Sequence, residues 1–204
     1  MEGFSAWAQP WWVNLLWLAP IINYVVWKRR PLTLKGSQLA WAALFAAGFG
    51  FVEAAVVVYL RAAIGMLPGY QGTLAEVRRL APQAYLQARS IESFPQSLLT
   101  IEVAREAATM VMLLSVAMLA ARALRDRWAI FLWLFAIWDV GYYAGLWATV
   151  RWPQSLLSED VLFLIPVPWI SQVWFPVAIS GLCIAAVVAG RKRTDDRGLR
   201  TEDC

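Results

Sequence analysis

Histidine is absent from all 204 residues, and that absence excludes more chemistry than any residue present. It removes the usual zinc and haem ligand and the commonest general base, so haem and zinc-histidine sites are not expected. Any reaction must then rest on carboxylates, Arg, Tyr, Ser, Thr or Cys. Cysteine is scarce as well: Cys183 lies inside an apolar run and Cys204 is terminal, so an internal disulfide framework is not indicated. Charged residues make up only 16% of the chain, against roughly 25% in a typical soluble domain. The net charge of +4 and pI of about 9.3 do not read as a nucleic-acid surface. Lys and Arg sit beside apolar runs instead of forming a patch interleaved with aromatics.

What the chain does contain is hydrophobic. A hydrophobic content of 60%, 13 Trp and a mean hydropathy of +0.54 belong to proteins whose solvent is lipid. Five apolar runs, at about 11–27, 38–60, 95–121, 128–150 and 169–189, are each near the ~20 residues that cross a hydrocarbon core of about 30 Å. The expected fold is an all-α, polytopic bundle of five transmembrane helices forming a single domain over residues 1–190. Residues 191–204 are charged, lack an apolar face and are expected to be a disordered cytoplasmic tail.

Individual runs carry more specific signals. The first holds Asn14, Pro20 and Asn23 and ends at Lys28-Arg29-Arg30; positive charge after the apolar segment argues against a signal peptide. Trp7, Trp11 and Trp12 fit an interfacial aromatic belt at its start. In the second run only Glu53 is charged, and Ala46, Ala47, Gly48 and Gly50 just before it permit close approach of another helix. Glu53 is therefore expected between helices. The 61–94 connection is polar, with Pro68-Gly69 as a turn and Thr73-x-x-Glu76 as a capping box for a short interfacial helix. Ser93 and Pro95 suit the start of the third helix, and the short Arg122–Arg127 turn makes the third and fourth antiparallel neighbours. Pro166 and Pro168 cannot sit in a regular helix, so residues 160–168 should lie in the interface or dip in as a re-entrant segment against protein.

Orientation follows from the basic residues. Lys28, Arg29, Arg30, Lys35, Arg122, Arg125, Arg127 and the Arg191–Arg200 group share one side of a five-span arrangement, whereas Arg61, Arg78, Arg79, Arg89 and Arg151 share the other. The positive-inside rule then gives the N-terminus out and the C-terminus in.

That topology gathers buried charge. Glu102, Arg105, Glu106 and Thr109 share one helical face by three-and-four spacing, and Asp139 carries Tyr142 and Tyr143 over its own face. Counted at 1.5 Å per residue, Glu53, the Glu102–Glu106 stretch and Asp139 all fall in the outer half, with Asp160 entering from the edge. Intramembrane ionisable groups mark a functional site by default. Acids outnumber the one Arg, so a low-dielectric site holds them only with acids protonated or a cation among them. Oxygen ligands of this kind suit Mg²⁺, Ca²⁺ or Mn²⁺, with Glu53, Glu102, Glu106 and Asp139 as metal ligands. Should the site be catalytic, Glu102, Arg105, Glu106 and Asp139 are its candidates, and Glu53, Tyr142, Tyr143, Asp160 and Trp169 are ligand-binding. The plain alternative is that the same groups only bind helix to helix. Trp138, Trp147, Trp152, Trp169 and Trp174 lie on the same elements and are candidates to wall a pocket for an apolar ligand.

Glu102-x-x-Arg105-Glu106, Trp138-Asp139 with Tyr142-Tyr143, Trp152-Pro153-x-Ser155-Leu156 and Phe163-Leu164-Ile165-Pro166-x-Pro168-Trp169 together resemble an uncharacterised family of bacterial multi-spanning inner-membrane proteins. The resemblance covers about residues 100–180 and implies a bacterial inner-membrane location, but no activity. Five spans and abundant Trp are also similar in architecture to the tryptophan-rich sensory protein and translocator family, which binds porphyrins; that family's motifs do not fall on this chain. The expected function is an outward-facing carboxylate cluster binding a divalent metal or shared protons, with two further forms. One is a membrane-embedded hydrolase using activated water on a lipid-like or periplasmic substrate. The other is a proton- or cation-coupled transporter working as a homodimer, since five helices are few for a transporter monomer. A Trp-lined receptor or a structural membrane subunit completes the alternatives. The bilayer is the expected partner, and nucleic acid is not.

Overall fold

The computed structural model describes residues 4–63 and 96–191, together with positions 73 and 75. A 3-10 segment, Trp11–Trp17, leads into α1 (Leu18–Arg29), followed by α2 (Gly36–Ala63), α3 (Gln96–Ala120) and α4 (Leu124–Val150). Two strands, β1 (Glu159–Phe163) and β2 (Trp169–Gln172), precede α5 (Trp174–Gly190). Three helical stretches are long and apolar enough to cross a membrane: Gly36–Tyr59, Leu98–Ala120 and Leu124–Val150. α5 is apolar but shorter.

α4 is the axis, packing against α2, α3 and α5, while α1 leans on α5. Its union with α2 follows from small residues placed a turn apart. A methyl group on Gly50 would lie 2.5 Å from the Trp138 carbonyl oxygen and 2.8 Å from the Tyr142 nitrogen. One on Gly145 would lie 2.9 Å from Ala54 Cβ. With Ala46 and Ala54 fully buried beside them, the two backbones approach as small-xxx-small pairs allow, where dispersion supplies the association that hydrophobicity cannot in lipid.

The first apolar run departs from a continuous helix. Asn14 Oδ1 accepts the Ala8 N–H at 2.9 Å, and its Nδ2 donates to the Ala8 and Trp11 carbonyls at 3.0 and 2.8 Å. Such local bonds compete with the α-helical ladder. Pro20 falls in the first turn of α1, where its missing N–H does little harm.

The segment before the last helix is a strand pair. β1 and β2 run antiparallel, with Glu159 opposite Gln172, Asp160 opposite Ser171, Val161 opposite Ile170 and, after an irregularity, Phe163 opposite Trp169. β-branched and aromatic residues favour this pairing, and the prolines fall in the connection, where no ladder donor is needed. Gln9 extends the pair by exchanging two 2.8 Å backbone bonds with Ile170. The last helix therefore begins at Trp174, because residues 169–172 are committed to the strand.

Opposite the hairpin, the helix ends are stapled to the α1–α2 linker. Asp126 accepts bonds from the Thr33 hydroxyl and, at 3.3 Å, from the Thr33 N–H. Gln38 Nε2 donates to the Ala120 carbonyl at 2.7 Å, and the Leu32 N–H to that of Gly190 at 2.8 Å. Apart from positions 73 and 75, the expected interfacial helix of the 61–94 loop, the Ser93–Pro95 helix start and the tail beyond Arg191 lie outside the described residues; residues 61–63 belong to α2.

Candidate functional site

α3 is largely apolar and buries one stripe of its surface. Glu102, Glu106 and Thr109 are buried at spacings of four and three, and Leu113 and Ala117 continue the stripe toward the far end. The buried polar groups of this stripe thus occupy only the half nearest the hairpin. Arg105, beside them, makes two connections. Its Nε and Nη2 donate to Glu102 Oε2 at 3.0 and 2.8 Å, while Nη1 forms an ion pair with Glu53 of α2. Glu53 sits almost wholly buried one turn beyond the Gly50 contact, and its other oxygen accepts the Thr109 hydroxyl at 2.7 Å. The close α2–α4 packing therefore places this carboxylate.

The remaining acids are held by other elements. Glu106 Oε2 accepts the Leu164 N–H at 2.8 Å, which fastens the hairpin connection to α3. Asp139, on α4, accepts the Ser180 hydroxyl of α5 at 2.8 Å. Asp160, on β1, accepts the Tyr143 hydroxyl at 2.9 Å and its neighbour Val161 N–H at 2.9 Å. Each carboxylate is met by a donor from a different part of the chain, as buried polar groups require.

Between them lies a cavity of about 50 Å³, lined by Glu53, Glu106, Asp139 and Asp160 with Arg105, Tyr142 and Tyr143. It is large enough for a few waters, each needing roughly 10–15 Å³ of such volume. Trp138 also lines it, and the Trp138 indole N–H is buried without a hydrogen-bond acceptor among the described residues.

Of the expected site residues, Glu53, Arg105, Glu106, Asp139, Tyr142, Tyr143 and Asp160 share this cavity. Glu102 is joined to it through Arg105. Trp169 stands apart, packed edge-on to Trp12 at 5.2 Å and against Phe163 at 5.5 Å. The other tryptophans expected to wall a pocket are dispersed: Trp147 lies exposed under Arg151, Trp152 packs beside Tyr143, and Trp174 meets Phe4. Among the described residues no group of three or more His, Cys, Asp or Glu side chains is arranged to hold a metal ion.

Two functional partners escape a reading of the charges alone. Ser180 is the one hydroxyl in the apolar run of α5, and its isolation there was its signal. The Leu164 N–H carries no signal at all, because a backbone donor becomes visible only once the hairpin is built. Comparison with family models, with curated proteins and with solved structures gives no match to this chain.

Proposed function

We propose that this integral membrane protein binds and exchanges protons at the carboxylate cluster beneath the hairpin. The observation that carries this reading is the cavity of about 50 Å³ faced by four carboxylates and one guanidinium, with Glu102 held just outside it. Fully ionised, five acids and Arg105 would leave a net charge of −4 in a low-dielectric region. Each uncompensated buried charge costs several kcal/mol. Bound protons remove that cost without the ligand convergence that a divalent ion needs. A protonated carboxyl also acts as donor and acceptor, so Glu106, Asp139 and Asp160 can pass a proton among themselves through water held by the Trp138 N–H and the tyrosine hydroxyls. The small volume favours proton handling over hydrolysis of a lipid-like substrate at these residues.

In this reading the hairpin side faces outward, with the N-terminus out and the C-terminus in, across a bacterial inner membrane. Two further crossings are consistent with the dimensions: the 3-10 segment and α1 together extend about 32 Å, and α5 about 26 Å before the hairpin adds depth. The basic residues at the opposite bundle end support the same orientation.

Infrared difference spectra of the protein in lipid nanodiscs, recorded between acid and neutral pH, test the assignment. Carboxylic C=O bands should titrate reversibly, with Glu106→Gln and Asp139→Asn each deleting a component. Absence of any such band while the protein stays folded would overturn the proposal. A stoichiometric divalent metal that is lost in both variants would replace it with the metal-binding form.

A further inference from the structure

The bundle end opposite the hairpin has a charge imbalance of the other sign. Lys28, Arg29, Arg30, Lys35, Arg122, Arg125, Arg127 and Arg191 gather there by the stapling contacts of the α1–α2 linker, and Asp126 is the single acid beside them among the described residues. Asp126 is buried and bound to Thr33, with Arg125 Nε at 3.5 Å. It therefore does little to offset the others. Lys28, Arg29 and Arg30 are exposed and have no carboxylate partner among the described residues.

The surface beneath these cations is apolar and uncovered. Ile21 and Val25 lead up to Lys28 at spacings of four and three, and Ile22 and Val26 lead in the same way to Arg29. All four aliphatic side chains are exposed. Lys28 reaches over the Tyr24 ring at 5.9 Å, and Asn23 accepts the Trp128 indole N–H at 3.0 Å. That bond sets a half-exposed Trp from α4 beside α1, and an amphipathic ring next to snorkelling cations suits a headgroup layer. Two aliphatic tracks ending in two cations match an amphiphile with two chains and a negative head.

We propose that the C-terminal half of α1, with Trp128, forms a binding site for an anionic phospholipid of the bilayer. Lys28 and Arg29 hold the phosphate, and Ile21, Ile22, Val25 and Val26 carry the acyl chains. The site is separate from the carboxylate cavity and does not depend on what that cavity binds.

Native mass spectrometry of the full chain, released from nanodiscs of equal parts phosphatidylglycerol and phosphatidylethanolamine with identical acyl chains, tests this. Each basic side chain near an anionic surface contributes roughly a fivefold preference. With two such side chains, phosphatidylglycerol should be retained over phosphatidylethanolamine by about 25-fold, and Lys28→Gln with Arg29→Gln should bring that ratio close to one. Arg151→Gln, at the opposite end, should leave it unchanged. Equal retention of the two lipids, or a preference that survives in the double variant, would overturn the site. Displacement of the lipid by millimolar inorganic phosphate would show a free-anion site and overturn it too. Should the double variant fail to fold, the native chain decides, because the preference must fall with rising salt; a salt-independent preference refutes it.

Discussion

Replacing Gly50 by Ala tests whether helix approach, and not the charges themselves, places Glu53. The added methyl would meet the Trp138 carbonyl oxygen at 2.5 Å and the Tyr142 nitrogen at 2.8 Å. Both are backbone atoms of a packed helix, which cannot turn aside as a flexible side chain can. α2 and α4 must then separate, and overpacking of this kind costs about 1–3 kcal/mol. Gly48, on the same helix, is the control: a methyl there meets nothing within 4 Å. Ala at that position should be neutral or more stable by up to about 1 kcal/mol, since Gly is the poorer helix former. Unfolding in mixed micelles followed by Trp fluorescence gives both values. Gly50→Ala should also weaken the Thr109–Glu53 bond, which lies one turn further on, and so broaden the carboxyl bands in the infrared spectrum. Equal stability of the two variants would refute the packing argument.

Three further outcomes follow from the polar contacts. Arg105→Gln strips Glu53 and Glu102 of their shared partner and should destabilise the fold by about 3 kcal/mol, the lower end for a broken buried pair because the guanidinium keeps some exposure; adding Glu53→Gln should restore part of the loss in the same unfolding assay. Thr33→Val removes the hydroxyl that Asp126 accepts and should cost about 1.5–3 kcal/mol, with faster hydrogen exchange over the 30–35 linker as its local signature. Tyr143→Phe removes the hydrogen bond from α4 to Asp160; limited proteolysis should then cut the 159–172 hairpin sooner while the helical circular dichroism is retained.

The helical body could be read from hydrophobic run lengths because lipid imposes one length and one periodicity on whatever crosses it. α2 and α4 extend a few residues beyond the apolar cores expected for them, since Gly36 is followed by Gln38, which bonds across to α3, and Leu124 by Asp126, which bonds to the α1–α2 linker. The convergence of acids was foreseeable from spacing on α3 and from depth counting. The hairpin was not: Asp160–Pro168 announced a break through its prolines, but a break does not state which strand the neighbouring residues will find. Asn14 likewise gave no warning that it would wind the first segment into a 3-10 helix, because that outcome depends on Ala8 lying within reach. Trp169 lies outside the cavity for a related reason. Its place next to the acidic elements in sequence became, once paired in β2, a place against Trp12.

The Asp139–Ser180 bond joins residues 41 positions apart, and this separation imposes an order on biosynthesis. The chain emerges N-terminal end first, so Asp139 leaves the ribosome before the hydroxyl that will satisfy it. Ser180 arrives with the final apolar helix, after the strands that close over Glu106. The cluster is thus complete only once α5 has packed on α4, and a nascent chain stalled before residue 180 would leave Asp139 without its Ser180 partner.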